Sequence, residues 1–339
     1  MKQKWMALLL ALALVLAGCQ HQSPAPSGDG LSVTFLDVGQ ADCALLECDG
    51  EFLLIDGGNR EDSQLLVSFL EQEGVQQLKA LVCTHPHEDH VGGLPAVLAV
   101  YPTAQVYAPT STYSSQFFDD FLYYTHQQGL EITIPKPGDT ISLGQATLTV
   151  LGPVTTYAET NDTSLVLRAV YGETAFLFTG DMEKAAETDL LDSGAQVRSQ
   201  VLKVGHHGSD TSTSIRFLSQ VDPDYGVISC GRDNKYGHPH QEVLERLAQA
   251  QTTVLRTDQL GTIRAFSDGR DVTFHWDNQN QLPENPLPTE DTACIGNQNS
   301  KVFHSPQCKN LPAPENQVPF PSREAALQSG YRPCGSCKP

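Results

Sequence analysis

Two hydrophobic periods alternate along this chain. Apolar runs at 31–38, 43–47 and 52–55 are short and bounded by turn residues, which predicts strands. Asp49-Gly50, between the second and third runs, marks a hairpin. From 62 to 73 the period changes. Apolar residues at 65, 66, 69 and 70 share one helical face, and Gly74 stops the helix. Residues 78–83 read as strand again, and Leu94 opens another helix. Helix-like stretches recur around 114–128, 182–192, 211–220 and 241–250. Strand-like runs recur around 104–108, 130–134, 145–151, 163–170, 174–179, 200–204, 224–229, 252–256, 261–266 and 271–275. Many strands with interspersed helices predict a two-layer sheet core covered by helices.

The pattern breaks at both ends. Residues 278–290 are polar and Pro-rich, which predicts a linker, and a compact segment at 291–339 ends the chain. At the start, Lys2 and Lys4 precede an unbroken apolar run from Met6 to Ala17. As a helix this run covers only about 18 Å, too short to span a bilayer comfortably. Leu16-Ala17-Gly18-Cys19 closes it and resembles the lipobox of bacterial lipoproteins. That resemblance implies a signal peptide at 1–19, lipidation of Cys19, and a membrane anchor on the extracytoplasmic side. Residues 20–30, rich in Ser, Pro and Gly, then form a flexible tether, and 31–277 form the main domain. An ordinary signal peptide with a chance cysteine is the alternative.

Composition narrows the partners. The chain has 339 residues and a net charge of −19, so long-range attraction to nucleic acid or anionic lipid is excluded for the whole molecule. A phosphate-bearing substrate must be held by local features, of which a metal pair is one. The segment from 291 onward differs, with five Lys/Arg against three Asp/Glu. Cys43, Cys48, Cys83 and Cys230 lie in apolar, strand-like runs and read as buried thiols, although Cys43 and Cys48 can also face each other across a hairpin.

The main domain carries one dense cluster of ligand types. Thr84-His85-Pro86-His87-Glu88-Asp89-His90 follows a strand and offers two imidazoles at alternate positions, then a carboxylate and a third imidazole. Nitrogen and carboxylate oxygen suit zinc, and also manganese or iron. Further ligands are expected at other strand ends: Asp181 after Thr179-Gly180, and the His206-His207 pair after an apolar strand. Asp56, in Leu54-Ile55-Asp56-Gly57-Gly58, is better placed to orient a ligand than to be one. His238 and His240 follow the Asn234-Lys235-Tyr236-Gly237 loop. They can donate to a phosphate oxygen or leaving group, or simply start a helix at Pro239.

In order and spacing, Asp56, the 85–90 motif, Asp181 and His206-His207 resemble the metallo-β-lactamase fold superfamily. Within it the chain is similar to the soluble hydrolase domain of the ComEC competence family. That likeness rests on Leu36 to Asp42, Thr84 to Gly93, Asn161 to Leu165, Thr179 to Asp181, Leu202 to Ser209, and Tyr236 to His240. It implies a four-layer αββα sandwich with two divalent ions, zinc or manganese, at one edge. His85 and His87 would hold one ion, Asp89 and His90 the other, and Asp181 would lie between them. One histidine of the 206–207 pair would complete the second ion's shell: His207 is the expected ligand, and His206 its neighbour in catalysis. Many superfamily members carry a further ligand histidine before the Gly-Asp strand. Here Asn161-Asp162 stands there, so the first ion's shell is completed by Asn161, Asp162 or water, or stays short of a nitrogen.

Two adjacent cations activate a water and stabilise charge on phosphorus, and Asp89 can help orient that water. The expected function is a phosphodiesterase or nuclease acting on extracellular DNA. Alternatives are a phosphocholine esterase or other surface ester hydrolase, and a DNA-binding surface lipoprotein with little hydrolase activity.

The tail offers a separate set, His304-x3-Cys308 and Cys334-x2-Cys337, with 25 residues between the halves. Three sulfurs and one nitrogen suit a closed, structural zinc site, which would stabilise a segment too small to bury much on its own. Disulfides, with Cys294 as a further partner, are the alternative. Gly296 to Cys308 and Ala325 to Cys337 resemble the zinc-binding module of the Ada DNA-repair protein. His304 stands where that module has a cysteine, which puts methyl transfer in doubt and leaves zinc binding and DNA contact as expectations.

Overall fold

The computed structural model describes residues 30–283, 294–306, 308–320 and 323–337. The signal peptide, Cys19, the tether up to residue 29 and most of the linker lie outside the described residues.

Fifteen strands of the main domain form two sheets. The first comprises β1 (Leu31–Phe35), β2 (Ala44–Cys48), β3 (Glu51–Ile55), β4 (Ala80–Val82), β5 (Val106–Tyr107) and β6 (Ile132–Thr133). The second comprises β7 (Thr140–Leu143), β8 (Ala146–Gly152), β9 (Val166–Tyr171), β10 (Thr174–Phe178), β11 (Val201–Lys203), β12 (Tyr225–Ile228) and β13 (Thr253–Arg256). The chain then returns to the first sheet with β14 (Ile263–Ser267) and β15 (Val272–Trp276). The strand orders are β15-β14-β1-β2-β3-β4-β5-β6 and β13-β12-β11-β10-β9-β8-β7.

Burial shows why these become four layers. In β10, Phe176 and Phe178 point into a core shared by both sheets, beside Leu46, Leu53 and Val82 from the first. Leu177, between them, points outward and packs with Phe217, Leu218, Val243 and Leu247 on helices Ile215–Val221 and Gln241–Gln249. Each such fully buried side chain stabilises by roughly 1.5–3 kcal/mol. The first sheet does the same on its outer face: Leu45, Leu54 and Leu81 meet helices Ser63–Gln72, Leu94–Val100 and Gln116–Gln127. Two sheets that each bury both faces give the αββα sandwich.

Most predicted elements are present, with ends shifted by a few residues. The hairpin at Asp49-Gly50 is a turn with both residues at positive φ, 53° and 76°. Strand β7 is unpredicted; its alternation spans only four residues, with Ile141 and Leu143 buried. Cys43 and Cys48 do not face each other across a hairpin. Cys43 precedes β2 and Cys48 ends it, on opposite faces of the sheet, and both are free thiols.

Parallel pairing fixes where chemistry can collect. β3 and β4 are parallel, as are β10, β11, β12 and β13. Within each set the carboxyl ends therefore share one edge. Asp56, His85 to His90, Asp181 and His206-His207 all follow such ends.

In the tail, a sheet ordered β18 (Gln317–Phe320), β16 (Cys294–Asn297), β17 (Val302–His304), β19 (Arg332–Pro333) packs on helix Arg323–Gln328. Its core is small: Cys294, Phe303, Ala326 and Tyr331.

Candidate metal centre

Asp181 is the hub. Gly180 before it has φ +51°, and a Cβ there would meet Ser164 Oγ and Thr84 Oγ1, each at 2.9 Å, so only glycine can turn the chain at this point. The Asp181 N–H donates to Ser164 Oγ at 3.1 Å, and the carboxylate is buried. Its two oxygens face different partners. Oδ1 lies 3.3 Å from His90 Nε2 and 3.7 Å from His207 Nε2. Oδ2 lies 3.8 Å from His85 Nε2 and 3.7 Å from His206 Nε2. Asp89 Oδ2 completes the first group, 3.3 Å from His207 Nε2. His87 joins the second, its Nδ1 3.1 Å from His85 Nε2.

Second partners set the tautomers. His207 Nδ1 lies 3.0 Å from the Ser229 carbonyl, which can only accept, so Nδ1 carries the proton and the neutral ring's lone pair sits on Nε2. His90 Nδ1 lies 2.8 Å from Asp56 Oδ2, with the same consequence. Asp56 is itself fixed by the Thr84 N–H and hydroxyl, each at 2.7 Å. Lone pairs on two imidazoles therefore aim at two carboxylates. Asp181 Oδ1, His90 Nε2 and His207 Nε2 are buried with no hydrogen-bond partner. Ligand atoms of Asp89, His90, Asp181 and His207 all lie within 4.8 Å of one another. Such a set repels itself unless protons or a cation sit among the atoms, and its nitrogen–oxygen composition fits a divalent ion.

Electrostatics point the same way. Burial opposes charge on His207, yet Asp181 and Asp42 push its pKa up to about 10. Burial likewise opposes charge on His90, but Asp181, Asp56 and Asp89 raise its pKa well above the usual range. Burial would raise Asp181, and the His90 and His207 rings instead hold it well below the carboxylate range. The pocket demands positive charge.

Four supporting residues were given no role of their own in the sequence reading. Asp42 Oδ1 lies 3.2 Å from His207 Nδ1, and its Oδ2 is 2.8 Å from Lys203 Nζ. Both Asp42 and Lys203 are buried. A lysine inside the apolar strand Val201–Lys203, and an aspartate in Ala41-Asp42-Cys43-Ala44, were the available signals. Thr84 and Glu183 are the others. The Glu183 carboxylate accepts from Asn161 Nδ2 and from the Thr211 hydroxyl, each at 3.2 Å. The Asp162 carboxylate accepts the Glu183 backbone N–H at 3.0 Å.

The chain is similar to several known proteins. The family model described as "Metallo-beta-lactamase superfamily" matches residues 36–232, more than half the chain. The chain belongs to the metallo-beta-lactamase superfamily. "Metal binding domain of Ada" matches residues 287–339. ComE operon protein 3 of Bacillus subtilis (strain 168) is 33% identical over 74% of this chain and 35% of its own length. Competence protein ComA of Neisseria gonorrhoeae is 33% identical over 76% of this chain and 35% of its own length. Recombination protein 2 of Haemophilus influenzae is 33% identical over 71% and 29%. The chain thus spans about a third of the length of these relatives. Among solved structures, the metallo-beta-lactamase fold protein YhfI from Bacillus subtilis aligns over 73% of this chain and all of its own, at 13% identity and a TM-score of 0.48.

In this superfamily member, the loop with the cis His238-Pro239 peptide borders the site. Gln40 Oε1 accepts the Gly231 N–H at 3.0 Å, so its amide nitrogen donates to His238 Nδ1 at 3.3 Å. The His238 proton therefore sits on Nε2. Burial and the His206 ring, whose centroid is 5.7 Å away, push its pKa down to about 4. His240 is spent on the loop: Nδ1 accepts the Asp210 N–H at 3.0 Å and Nε2 donates to the Tyr236 carbonyl at 3.2 Å. A cleft of about 460 Å³ opens beside Asp89, lined by Asp37, Glu61, Asp62, Glu88, Lys235 and the exposed Tyr236.

In the tail, His304, Cys308, Cys334 and Cys337 bring one ligand atom each within 4.8 Å of the rest. Each sulfur accepts one backbone N–H at 3.4 Å: Asn310 to Cys308, Ser336 to Cys334, and Ser305 to Cys337. Among the described residues neither these thiols nor Cys294 form a disulfide, and the set fits zinc.

Proposed function

We propose that this hydrolase-family chain is a metal-dependent phosphodiesterase acting on DNA outside the cell, tethered to the membrane through Cys19. One observation carries the metal-dependent part: the two oxygens of Asp181 each face a pair of imidazole nitrogens. In this reading His85 and His87 hold one divalent ion, zinc or manganese. Asp89, His90 and His207 would hold the other, and Asp181 would offer one oxygen to each set. Bound there, the ions supply an activated water and stabilise charge on phosphorus. The chain does the rest. Asp56 orients His90, Asp42 and Ser229 orient His207, and the His238 Nε2–H donates to a phosphate oxygen or leaving group.

DNA as substrate is supported by the relatives, whose names include a competence protein and a recombination protein. The Ada-type tail, held by one structural zinc and carrying five basic against three acidic residues from 291 onward, supports it further. Incubating the purified chain with DNA and Mn²⁺ or Zn²⁺ tests the reading. Cleavage is expected, and it should vanish in Asp89→Ala with His90→Ala. No cleavage by the native chain, or equal cleavage by the double variant, rejects it. DNA retention in a gel shift without turnover would instead identify a binding protein. Loss of lipid labelling and release into the medium after Cys19→Ala test the anchor.

The cleft favours a second reading. Its carboxylates outnumber its one lysine, and an exposed tyrosine stands at its rim. Such a lining suits a phosphodiester with a cationic leaving group, such as phosphocholine. Faster turnover of p-nitrophenyl phosphorylcholine than of DNA or its uncharged p-nitrophenyl analogue would select that esterase.

A further inference from the structure

Asn161 stands where many superfamily members place a histidine ligand, which leaves the His85–His87 pair short of a nitrogen. We propose that His206 supplies it: Nε2 of His206 is the third nitrogen of the first ion's shell, with His85, His87 and Asp181 Oδ2. This rests on the metal reading above and assigns His206 to the ion opposite His207.

Three observations carry the assignment. First, the contacts made through Asp181 are close to shell size. A tetrahedral shell with bonds of 2.0–2.1 Å has edges of about 3.4 Å. The second set shows edges of 3.3, 3.3 and 3.7 Å among Asp89, His90, His207 and Asp181. In the first set, Asp181 Oδ2 lies 3.7 Å from His206 Nε2 and 3.8 Å from His85 Nε2, and His85 Nε2 lies 3.1 Å from His87 Nδ1, so His206 joins the set through Asp181.

Second, His206 is held as a ligand is held. Its Nδ1 lies 3.1 Å from Thr211 Oγ1 and 3.4 Å from Glu183 Oε1. The Thr211 hydroxyl donates to Glu183 at 3.2 Å, so the oxygen of Thr211 is free to accept. Nδ1 then carries the proton and the Nε2 lone pair faces Asp181, as in His90 and His207. His240 lacks this arrangement, since both its nitrogens are used within its loop.

Third, the displaced position still serves the same ion. Asn161 Nδ2 donates to Glu183 Oε1 at 3.2 Å. The residue that replaces a ligand thus braces the carboxylate that orients its substitute. The backbone accommodates this at His206 and His207 together, whose φ values of +51° and +53° turn one ring toward each oxygen of Asp181.

Metal titration of the stripped full-length protein tests this without any substrate. The native protein should take two ions beyond the tail zinc, read by Co²⁺ absorption and by metal content per chain. His206→Asn removes the imidazole while keeping a residue that tolerates positive φ. One ion should then bind at least about tenfold more weakly, while the other keeps its native affinity. The weakened ion should be the one that His87→Asn also loses, so the double variant should lose no more ions than His87→Asn alone. Glu183→Gln, which leaves the His206 backbone alone, should weaken the same ion to a smaller degree. Native affinity for both ions in a folded His206→Asn overturns the assignment and leaves the metal reading intact. If His206→Asn does not fold, unchanged affinities in Glu183→Gln overturn it. A native protein that takes no ion beyond the tail zinc overturns both the assignment and the reading beneath it.

Discussion

Two ligand clusters share this chain and are built in opposite ways. The tail gathers three sulfurs and one nitrogen over a core of four buried residues. Each sulfur already accepts a backbone N–H, and all four ligand residues are buried. The sandwich gathers nitrogens and carboxylate oxygens at the rim of two sheets with cores of their own. There Asp89 keeps 30% of its side chain exposed, beside an open cleft. A filled, sulfur-rich shell holds structure, while an oxygen- and nitrogen-rich shell facing a cleft leaves room for water and substrate. On the proposed function the contrast is one of dependence: the tail would need its metal to fold, and the sandwich its metals to react.

The largest effect should come from breaking the tail. Cys334→Ser removes one of three sulfurs, and structural zinc contributes about 10 kcal/mol or more of folding free energy in small modules. The tail should lose zinc and become protease-sensitive at 294–337. Turnover of a small chromogenic phosphodiester should stay at the native rate. A matching loss of turnover would show that the two clusters are not independent. Asp181→Asn should do the reverse. The metals' stabilisation of developing charge is worth several kcal/mol, so turnover should fall by at least about 10³-fold. Metal analysis should show the sandwich ions lost and the tail zinc kept, and the fold should be unchanged by circular dichroism.

A smaller effect probes what holds the sandwich cluster when no metal is bound. Lys203 is 5% exposed and pairs with Asp42 at 2.8 Å. Lys203→Met leaves Asp42 buried without its cation, which should cost about 3 kcal/mol or more. The shift in urea midpoint of the stripped protein measures this. Adding Asp42→Leu should restore most of the loss, because an apolar pair is no worse than a buried ion pair. The tail's zinc content should not respond to either change. An unshifted midpoint in the single variant would mean that Asp42 finds another partner.

The same contrast explains how much could be read from sequence. The tail's four ligands sit at two short spacings, four apart and three apart, so local chemistry named them. The 85–90 motif was legible for the same reason, and the unbroken apolar run through Phe176, Leu177 and Phe178 marked a strand, which the structure buries on both faces. Lys203 and Asp42 were not legible, because their pairing spans 161 residues and exists only where β11 passes behind the loop after β1. Glu183 was hidden similarly: it looks like the acidic start of a helix until Asn161, His206 and Thr211 converge on it. Sequence spacing reports ligands contributed by one loop. It says little about which carboxylate stands behind a ligand contributed by another.

The smallest effects separate the two histidines of the 234–240 loop, which sequence left equivalent. His238 has its Nδ1 occupied by Gln40 and keeps an Nε2–H for donation beside His206. Its pKa of about 4 means it is neutral above pH 5, so it donates a hydrogen bond without carrying charge. His238→Asn should lower turnover by about 100-fold, the low end for losing a positioned proton donor, with metal content unchanged. His240 has no such freedom, because it ties Asp210 to Tyr236. His240→Asn should therefore cost less than about tenfold in turnover and act through loop order, seen as faster amide exchange at 234–240. If the two variants lose turnover equally while exchange is unchanged, His238 is not a donor, and the sandwich cluster works with its metal ligands and their partners alone.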